Sequence, residues 1–487
     1  MTREELNEKL NELQRQKCES QTLEVKKARN GCPQHLYDTL SAFSNQDEGG
    51  ILLFGIDEEQ DFAETGVYDP QDLQKKVNAQ CLQMDPVVRP LLTVLEKDGK
   101  CFVAAEIPAL DLADRPCYYR GKGKIKGSYV RVGDSDEPMT EYEIYSYEAF
   151  RKRYREESRP VPRMTEDDLD RERLGEFLRL WRQGKPNLSA LPEEKALALA
   201  QLVENGVPSL YANLLFGLYP QAYFPQLCIT AVAVPGETLG ETGAEGERFS
   251  DNERIEGDLP GMLARAIRFV RRNSKTRSII HPETGRREDR PEYPPGAVRE
   301  AIVNALVHRD YSIHTEGMPI QLRIYSNRLE IQSPGGLYGR IRVNQLGRVQ
   351  PDTRNPRLVS ALELLGVTEN RYSGIPLMER EVGAYNNLAL EIEDRRGTFC
   401  VTFRQKAADV STPEAGSDGK NPVLAFCSVP RSKKEIAAHL GLKTAAYVMT
   451  KYIAPLVAAG SLRLTVPDQP RSHRQRYVAA EKINPRK

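Results

Sequence analysis

The 487-residue sequence predicts a multidomain protein of mixed α/β (α+β) class, and three observations carry that expectation. The length exceeds what one hydrophobic core ordinarily serves, so three or four domains are expected. Short β-type runs alternate with helical stretches along most of the chain. Two polar stretches punctuate it: residues 153–168, with Pro160 and Pro162 among charges, and residues 406–420, rich in small and polar side chains.

In the first 150 residues the runs TLEVKK, ILLFGI, KCFVAAEI and GSYVRV read as strands, with helices around 35–44 and 71–82. Past the first break, 166–204 is helical in pattern, QLCITAVAVPG reads as a buried strand, and ETLGETGAEGERFSDNERIEG as a surface loop. A further α/β region opens with a helix at Pro295 and continues through PIQLRIYS, RLEIQS and GTFCVTFRQ. The expected domains are therefore 1–150, a helical linking region 151–292, 293–405, and a small tail domain at 421–482.

Charge gives no overall bias, because 69 Lys and Arg balance 69 Asp and Glu, so attraction to phosphate must come from local clustering. Eight scattered cysteines show neither zinc-ligand spacing nor a disulfide framework and read as reduced thiols. The first 17 residues form a charged helical pattern and not an apolar leader, and no stretch approaches the roughly 20 apolar residues of a membrane span. The expectation is a cytoplasmic protein with no membrane partner.

Residues 115–131, RPCYYRGKGKIKGSYVR, hold six basic residues, three tyrosines and no acid. Lys and Arg hold phosphates, tyrosine faces stack bases, and glycines admit a backbone closely, so DNA or RNA is the expected partner. Arg115, Tyr118, Tyr119, Arg120, Lys122, Lys124, Lys126 and Arg131 are the candidates, against the plainer alternative of a solvated hairpin. In CESQTLEVKKA, strand alternation points Glu24 and Lys26 the same way, with Glu19 just before. Asp57 and Glu58 follow ILLFGI; if these ends meet, the carboxylates and a lysine could hold Mg2+ or Mn2+ for phosphodiester hydrolysis. Ordinary ion pairing between Glu24 and Lys26 is the alternative.

The helix PPGAVREAIVNALVHRDYS places Val298, Ala301, Ile302, Ala305 and Leu306 on an apolar stripe and Glu300, Asn304 and His308 on another edge at intervals of four. Glu and Asn one turn apart can share a magnesium nucleotide, with Asn as metal ligand and Glu orienting water. A solvent-facing polar stripe is the alternative.

Two resemblances sharpen these readings. ES-x2-LEVKK, LSAFSNQDEGGILLFGIDEE and GSYVRVGDSDEPMT, in that order, resemble the Schlafen AlbA-type domain of bacterial DNA-binding regulators and animal Schlafen proteins. The resemblance implies a metal-dependent RNA-cleaving set at Glu19, Glu24 and Glu58, with Asp57 as the alternative third acid. REAIVNALVHRDYS, RLEIQSPGGL, TRNPRLVSALELLG and RYSGIPLMER resemble the RecG-related carboxy-terminal family, a branch of the gyrase and histidine-kinase ATPase superfamily. That resemblance implies a divergent α/β sandwich binding ATP, with Glu300 as general base, Asn304 on the metal, Gly335 and Gly336 in the first glycine box, and Ser373 and Gly374 in the lid. Gln332, Ser333 and Pro334 stand where the superfamily has its adenine-contacting aspartate. No GxxxxGK[ST] loop occurs, which argues against a helicase motor.

The tail resembles a winged helix-turn-helix, with Gly441 at the turn, Thr444, Tyr447 and Lys451 facing outward, and Arg471, Arg474 and Arg476 on the wing. Residues 461–487 carry seven basic and two acidic side chains. The functional expectation is a nucleotide-responsive, DNA-binding transcriptional regulator that is a homo-oligomer. The alternative is a Schlafen-like metal-dependent endoribonuclease gated by ATP, acting in stress or phage defence.

Overall fold

The computed structural model describes residues 1–280, 285–368, 373–395, 397–406, 422–439, 448–458, 461–466 and 475–479. The chain divides into two compact units, Met1–Gln405 and Lys406–Lys487. The parts expected as 1–150, 151–292 and 293–405 thus all lie in one compact unit.

The first part is built on a four-stranded sheet in the order Leu23–Lys26, Gly50–Phe54, Lys100–Ile107, Leu91–Lys97, parallel at its first pairing and antiparallel beyond. Strand alternation decides what covers each face. Leu53, Phe102 and Ala104 meet Leu6, Leu10 and Leu13 of the helix Arg3–Gln16, which Thr2 and Glu5 close with a capping box. Leu52, Phe54, Val103 and Ala105 instead meet the helices Tyr37–Asn45 and Pro70–Cys81 through Leu40, Phe43, Leu73 and Val77. The four β-type runs read from sequence are all strands here, and Leu91–Lys97 adds a strand. The helix Glu141–Lys152 closes this part.

A six-stranded sheet dominates the rest, in the order Asp251–Ile255, Ile229–Ala233, Ile320–Ile324, Arg328–Pro334, Thr398–Gln405, Leu388–Arg395. The helices Leu259–Asn273, Pro295–Val307 and Gly374–Gly383 pack beside one another and onto it. Two strands and one helix of this layer come from the region expected to be a helical link, so a boundary at 292 would cut through the sheet. The physical reason is a parallel pairing of Ile229–Ala233 with Ile320–Ile324, which needs a long crossover, and residues 234–319 are that crossover.

The segment read as a polar surface loop ends in the edge strand Asp251–Ile255. Only Ile255 of that strand is buried, and Asp251 and Glu253 pair with Arg272 and Arg265 of the adjoining helix. An edge strand satisfied by a charged helix carries no apolar alternation to detect.

Glu157, fully buried, joins the linking segment to the cleft region by accepting the backbone N–H groups of Arg357 and Leu358, each at 2.8 Å, at the start of the helix Pro356–Leu364. Burial pushes its carboxyl up to about 7, although those two donors oppose the shift. A raised acid stabilises the fold fully below its ordinary pKa and loses that contribution as pH rises through the folded value. Thermal denaturation should therefore show wild-type stability falling by on the order of 3 kcal/mol from this group between pH about 4.5 and about 7. In Glu157→Gln that part of the slope should vanish.

Candidate functional site

The helix Pro295–Val307 begins with proline at a position where its missing N–H costs nothing. Val298, Ala301, Ile302, Ala305 and Leu306 bury its apolar stripe in the core, as expected. Glu300, Asn304 and His308 open along the other edge into a cleft of about 1320 Å³, counted with its open mouth. Gly335, Gly336 and Gly374 line the same cleft. Ser373 lies just before Gly374, exposed and outside the cleft wall. Apolar walls come from Val303, Val307, Ile341, Leu346 and Phe399.

The glycines are there for space. Gly335 has a left-handed φ of +96°, and a Cβ on it would lie 2.6 Å from the Asp310 Cβ and strike Arg354. A Cβ on Gly374 would strike the Glu300 carboxylate. Enclosure within the cleft lowers the His308 pKa to about 4, with the Arg354 charge adding to the effect, so the imidazole is neutral near pH 7. Ser333, at the place of the superfamily aspartate, donates its hydroxyl to the Ala305 carbonyl at 3.0 Å and so ties strand to helix.

Several residues that shape the cleft carried no role in the sequence reading. Asp310, buried, accepts from the Tyr142 hydroxyl at 2.8 Å and the Ser312 N–H at 2.9 Å, and pairs with Arg354 at 3.3 Å. Arg354 also donates to the Gly336 carbonyl at 3.3 Å. Asn355, fully buried, donates to the carbonyls of Val307 and Arg309, each at 2.8 Å, where the cleft helix ends. The motifs HRDYS and TRNP therefore meet in space. Their signal in sequence was charged and amide residues embedded among apolar ones.

The acidic group of the first part is a clasp around Arg131. Its guanidinium lies 2.8 Å from Glu24, 3.8 Å from Glu19 and 2.9 Å from Asp136, with its side chain 1 % exposed. Lys26 pairs with Glu24, as the alternation predicted, and Lys27 lies 2.5 Å from Asp57. Burial raises the Glu19 carboxyl to about 8, and the charges of Glu24 and Glu58 push the same way. Burial also opposes the Glu24 charge, but Lys26 and Arg131 hold its pKa below the usual range. Glu58 is exposed at the start of a short turn. Glu19 stands near enough to Glu24 and Glu58 to feel their charges, but among the described residues no three acidic, His or Cys side chains are grouped to hold a metal ion, against the expected ligand set of Glu19, Glu24, Asp57 and Glu58. Lys26 and Arg131 engage Glu24 and Lys27 engages Asp57, whereas Glu19 accepts the Val25 N–H at 2.6 Å.

The basic segment 115–131 is partly internal. Arg115 is buried, donating to the Leu110 and Gln46 carbonyls at 3.0 Å and pairing with Asp47 at 2.9 Å. Arg115 and Arg131 are thus structural, against the expectation that both face a ligand. The Tyr118 hydroxyl donates to Asp85 at 2.6 Å, and the Tyr119 ring stacks on Tyr37 at 3.7 Å, which occupies one of its faces. Lys122 lies 3.3 Å from Asp38 and Lys124 2.5 Å from Glu148. Arg120 and Lys126 are exposed and without an ion pair among the described residues.

In the second unit, short helices Pro422–Phe426, Lys433–His439 and Ala454–Ala458 accompany an antiparallel pair, Leu462–Leu464 with Tyr477–Ala479. Arg476 lies 3.9 Å from Glu435. Gly441, Thr444, Tyr447, Arg471 and Arg474 lie outside the described residues, as does the side chain of Lys451. No helix among the described residues is long and apolar enough to cross a membrane.

Comparison with known proteins follows these divisions. Residues 19–140 match the family described as Schlafen, AlbA_2, and residues 317–403 match "Putative ATP-dependent DNA helicase recG C-terminal". Residues 423–478 match "Filamentation induced by cAMP protein Fic-like, C-terminal domain". No curated protein matches the chain. Among solved structures, the DIP2311 protein of Corynebacterium diphtheriae is 19% identical, with 94% of this chain and 92% of that chain covered and a TM-score of 0.37. The amino-terminal domain of a "Putative ATP-dependent DNA Helicase RecG-related Protein" from Nitrosomonas europaea is 26% identical over 29% of this chain and 94% of that chain, with a TM-score of 0.23.

Replacing Arg131 by Met removes the buried cation that Glu24 and Asp136 share, leaving Glu24 only Lys26 and Asp136 only the Thr39 hydroxyl, and is expected to cost about 3 kcal/mol of folding stability, read by urea denaturation. Lys126→Met should leave the midpoint unchanged, since that side chain is exposed.

Proposed function

We propose that this chain, which carries a Schlafen AlbA_2 domain and a RecG-related carboxy-terminal domain, binds nucleic acid in a manner set by a nucleotide in the cleft. Its most concrete form is a DNA-binding transcriptional regulator that senses ATP. The single observation that carries this reading is the segment running from Leu337 to Arg354. Its residues Leu337, Tyr338, Ile341, Leu346 and Arg354 wall the cleft. The same segment grips the AlbA_2 part, where Arg340 lies 3.2 Å from Asp111 and Arg342 2.9 Å from Asp47, and the helix after it, where Tyr338 packs edge-on against Phe150. Asp47 also binds Arg115, which begins the basic segment. A ligand that moves this wall therefore acts on the nucleic-acid-binding part, provided it favours one arrangement over the other.

The residues present fit a magnesium nucleotide. Asn304 offers an amide oxygen to the metal, Glu300 a carboxylate to orient water, and the Gly335–Gly336 turn a close backbone approach to phosphates. Bound ATP would supply the charge and contacts that order the wall. Among the described residues that line the cleft Arg354 is the one cation, and it is engaged by Asp310, so phosphate binding would lean on backbone groups and the metal. In this reading Tyr142, through Asp310, relays the cleft to the helix Glu141–Lys152, which follows the AlbA_2 match. The tail would supply a second DNA contact as a winged helix, and pairing of two chains would present two such tails.

The nuclease alternative draws on Glu19, Glu24 and Glu58, and the two cations already bound to Glu24 weigh against it. Incubation of the pure protein with labelled tRNA or DNA and Mn2+ should give no cleavage beyond that of Glu24→Ala. Metal-dependent cutting lost in that variant would establish the nuclease instead.

For the cleft, a thermal-shift titration with ATP and Mg2+ should raise the wild-type melting temperature, by the equivalent of about 2.7 kcal/mol at a hundredfold excess over Kd. Asn304→Ala should lose the shift. Tyr142→Phe should keep the shift but reduce the effect of ATP on DNA affinity. No shift in any of the three proteins would overturn the nucleotide assignment.

A further inference from the structure

The charge criterion that singles out 115–131 is met again elsewhere. Residues 264–280, ARAIRFVRRNSKTRSII, also hold six basic residues and no acid in 17 positions. They form the second half of the helix Leu259–Asn273 and the strand Thr276–Ile280, which pairs antiparallel with Arg287–Pro291. The helix buries Leu259, Met262, Leu263, Ala266, Phe269 and Val270 against the shared sheet, which turns its charges outward.

Two of the six charges are used internally. Arg265 pairs with Glu253 at 2.9 Å, and Arg272 with Asp251 at 2.8 Å and Glu253 at 3.1 Å. Arg268, Arg271, Lys275 and Arg277 are exposed and have no ion pair among the described residues. In 115–131 the same accounting leaves only Arg120 and Lys126, since Arg115 and Arg131 are buried and Lys122 and Lys124 are paired.

Placement adds a second observation. Arg277 stands directly across the hairpin from Arg290, a like-charge pairing that costs stability unless an anion shares it. Arg290 is held in place with its guanidinium 4.0 Å from the Tyr385 ring centre and by the Ala384 carbonyl. Arg268 and Arg271 are three residues apart on one helix side, and Lys275 lies just past the helix end, between it and the strand that carries Arg277. A helix C-terminus favours cations, which accounts in part for Arg271 and Lys275 but not for Arg268 or for the facing arginines of the hairpin.

We infer that Arg268, Arg271, Lys275 and Arg277 form a second nucleic-acid contact, which holds the phosphodiester backbone without reading bases. The Glu292 carboxylate accepts the Lys275 backbone N–H at 2.9 Å and lies beside that residue, but Arg268, Arg271 and Arg277 remain separate cations with no ion pair among the described residues, which suits a row of phosphates, each neutralised with release of counterions. An anionic membrane is the less suitable occupant, because Ile280 is the only large apolar side chain described as exposed beside the patch. The inference rests on the nucleic-acid-binding reading above and extends it to a surface outside the AlbA_2 domain. The helix that carries the patch packs directly on the cleft helix.

The test is fluorescence anisotropy of the full chain with labelled duplex DNA and RNA of unrelated sequences, at several salt concentrations. Arg271→Glu/Arg277→Glu is compared with wild type and with Arg120→Glu/Lys126→Glu. The expected result is binding at least tenfold weaker for the hairpin variant at about 0.1 M salt, equally across sequences, and a salt slope shallower by about 2. An unchanged melting temperature shows that the variant is folded. Wild-type binding with unaltered affinity and slope in the hairpin variant overturns the second contact and leaves the AlbA_2 reading standing. Absence of wild-type binding overturns both, as does capture only on phosphatidylserine vesicles.

Discussion

A buried carboxylate, Asp310, sits where the helix Glu141–Lys152, the end of the cleft helix and the TRNP motif converge. Left alone, such a charge would cost several kcal/mol. It is satisfied by the Tyr142 hydroxyl, the Ser312 amide and Arg354, each from a different segment. Because Asp310 and Arg354 fill the space above Gly335, only glycine fits at that turn of the cleft. Buried pairs of this kind add little net stability but penalise misassembly, and here the penalty fixes how the first part meets the cleft region.

Arginine plays two opposite parts in this chain. Arg115, Arg131, Arg309 and Arg354 are buried and organise carbonyls and carboxylates around themselves. Arg120, Arg268, Arg271 and Arg277 are exposed and lack an ion pair among the described residues. A count of charges along the sequence treats the two groups alike. The difference lies in whether an acid from a distant element arrives: Asp47 for Arg115 and Asp136 with Glu24 for Arg131, but none for Arg271 or Arg277.

The six-stranded sheet accounts for why the linking region does not behave as a separate link. Its strand Ile229–Ala233 is bound on both sides, by Asp251–Ile255 and by Ile320–Ile324. The crossover between the parallel partners contains both the basic helix and the cleft helix, so the exposed arginines and the cleft grow from one continuous stretch of chain. Any displacement of one helix has to be accommodated by the other, since the two pack together and interiors this dense have few voids to absorb a shift.

Periodicity alone was enough to place the strands Leu23–Lys26, Gly50–Phe54 and Lys100–Ile107, the helix Pro295–Val307, and the edge on which Glu300, Asn304 and His308 open into one cleft. These are local properties, set by alternation and helical spacing within a dozen residues. The sequence also determined that the chain has two sheet-based regions, through motifs whose order is written in one dimension. Tertiary structure decided the rest. The edge strand Asp251–Ile255 exists because Arg265 and Arg272 meet its acids, the clasp at Glu24 because Arg131 arrives from 107 residues away, and the cleft wall because Asp310 finds Tyr142 and Arg354. Charge pairing acts through space and leaves no period in the chain, and so the basic segment 115–131 looked like a binding edge until its partners were in place.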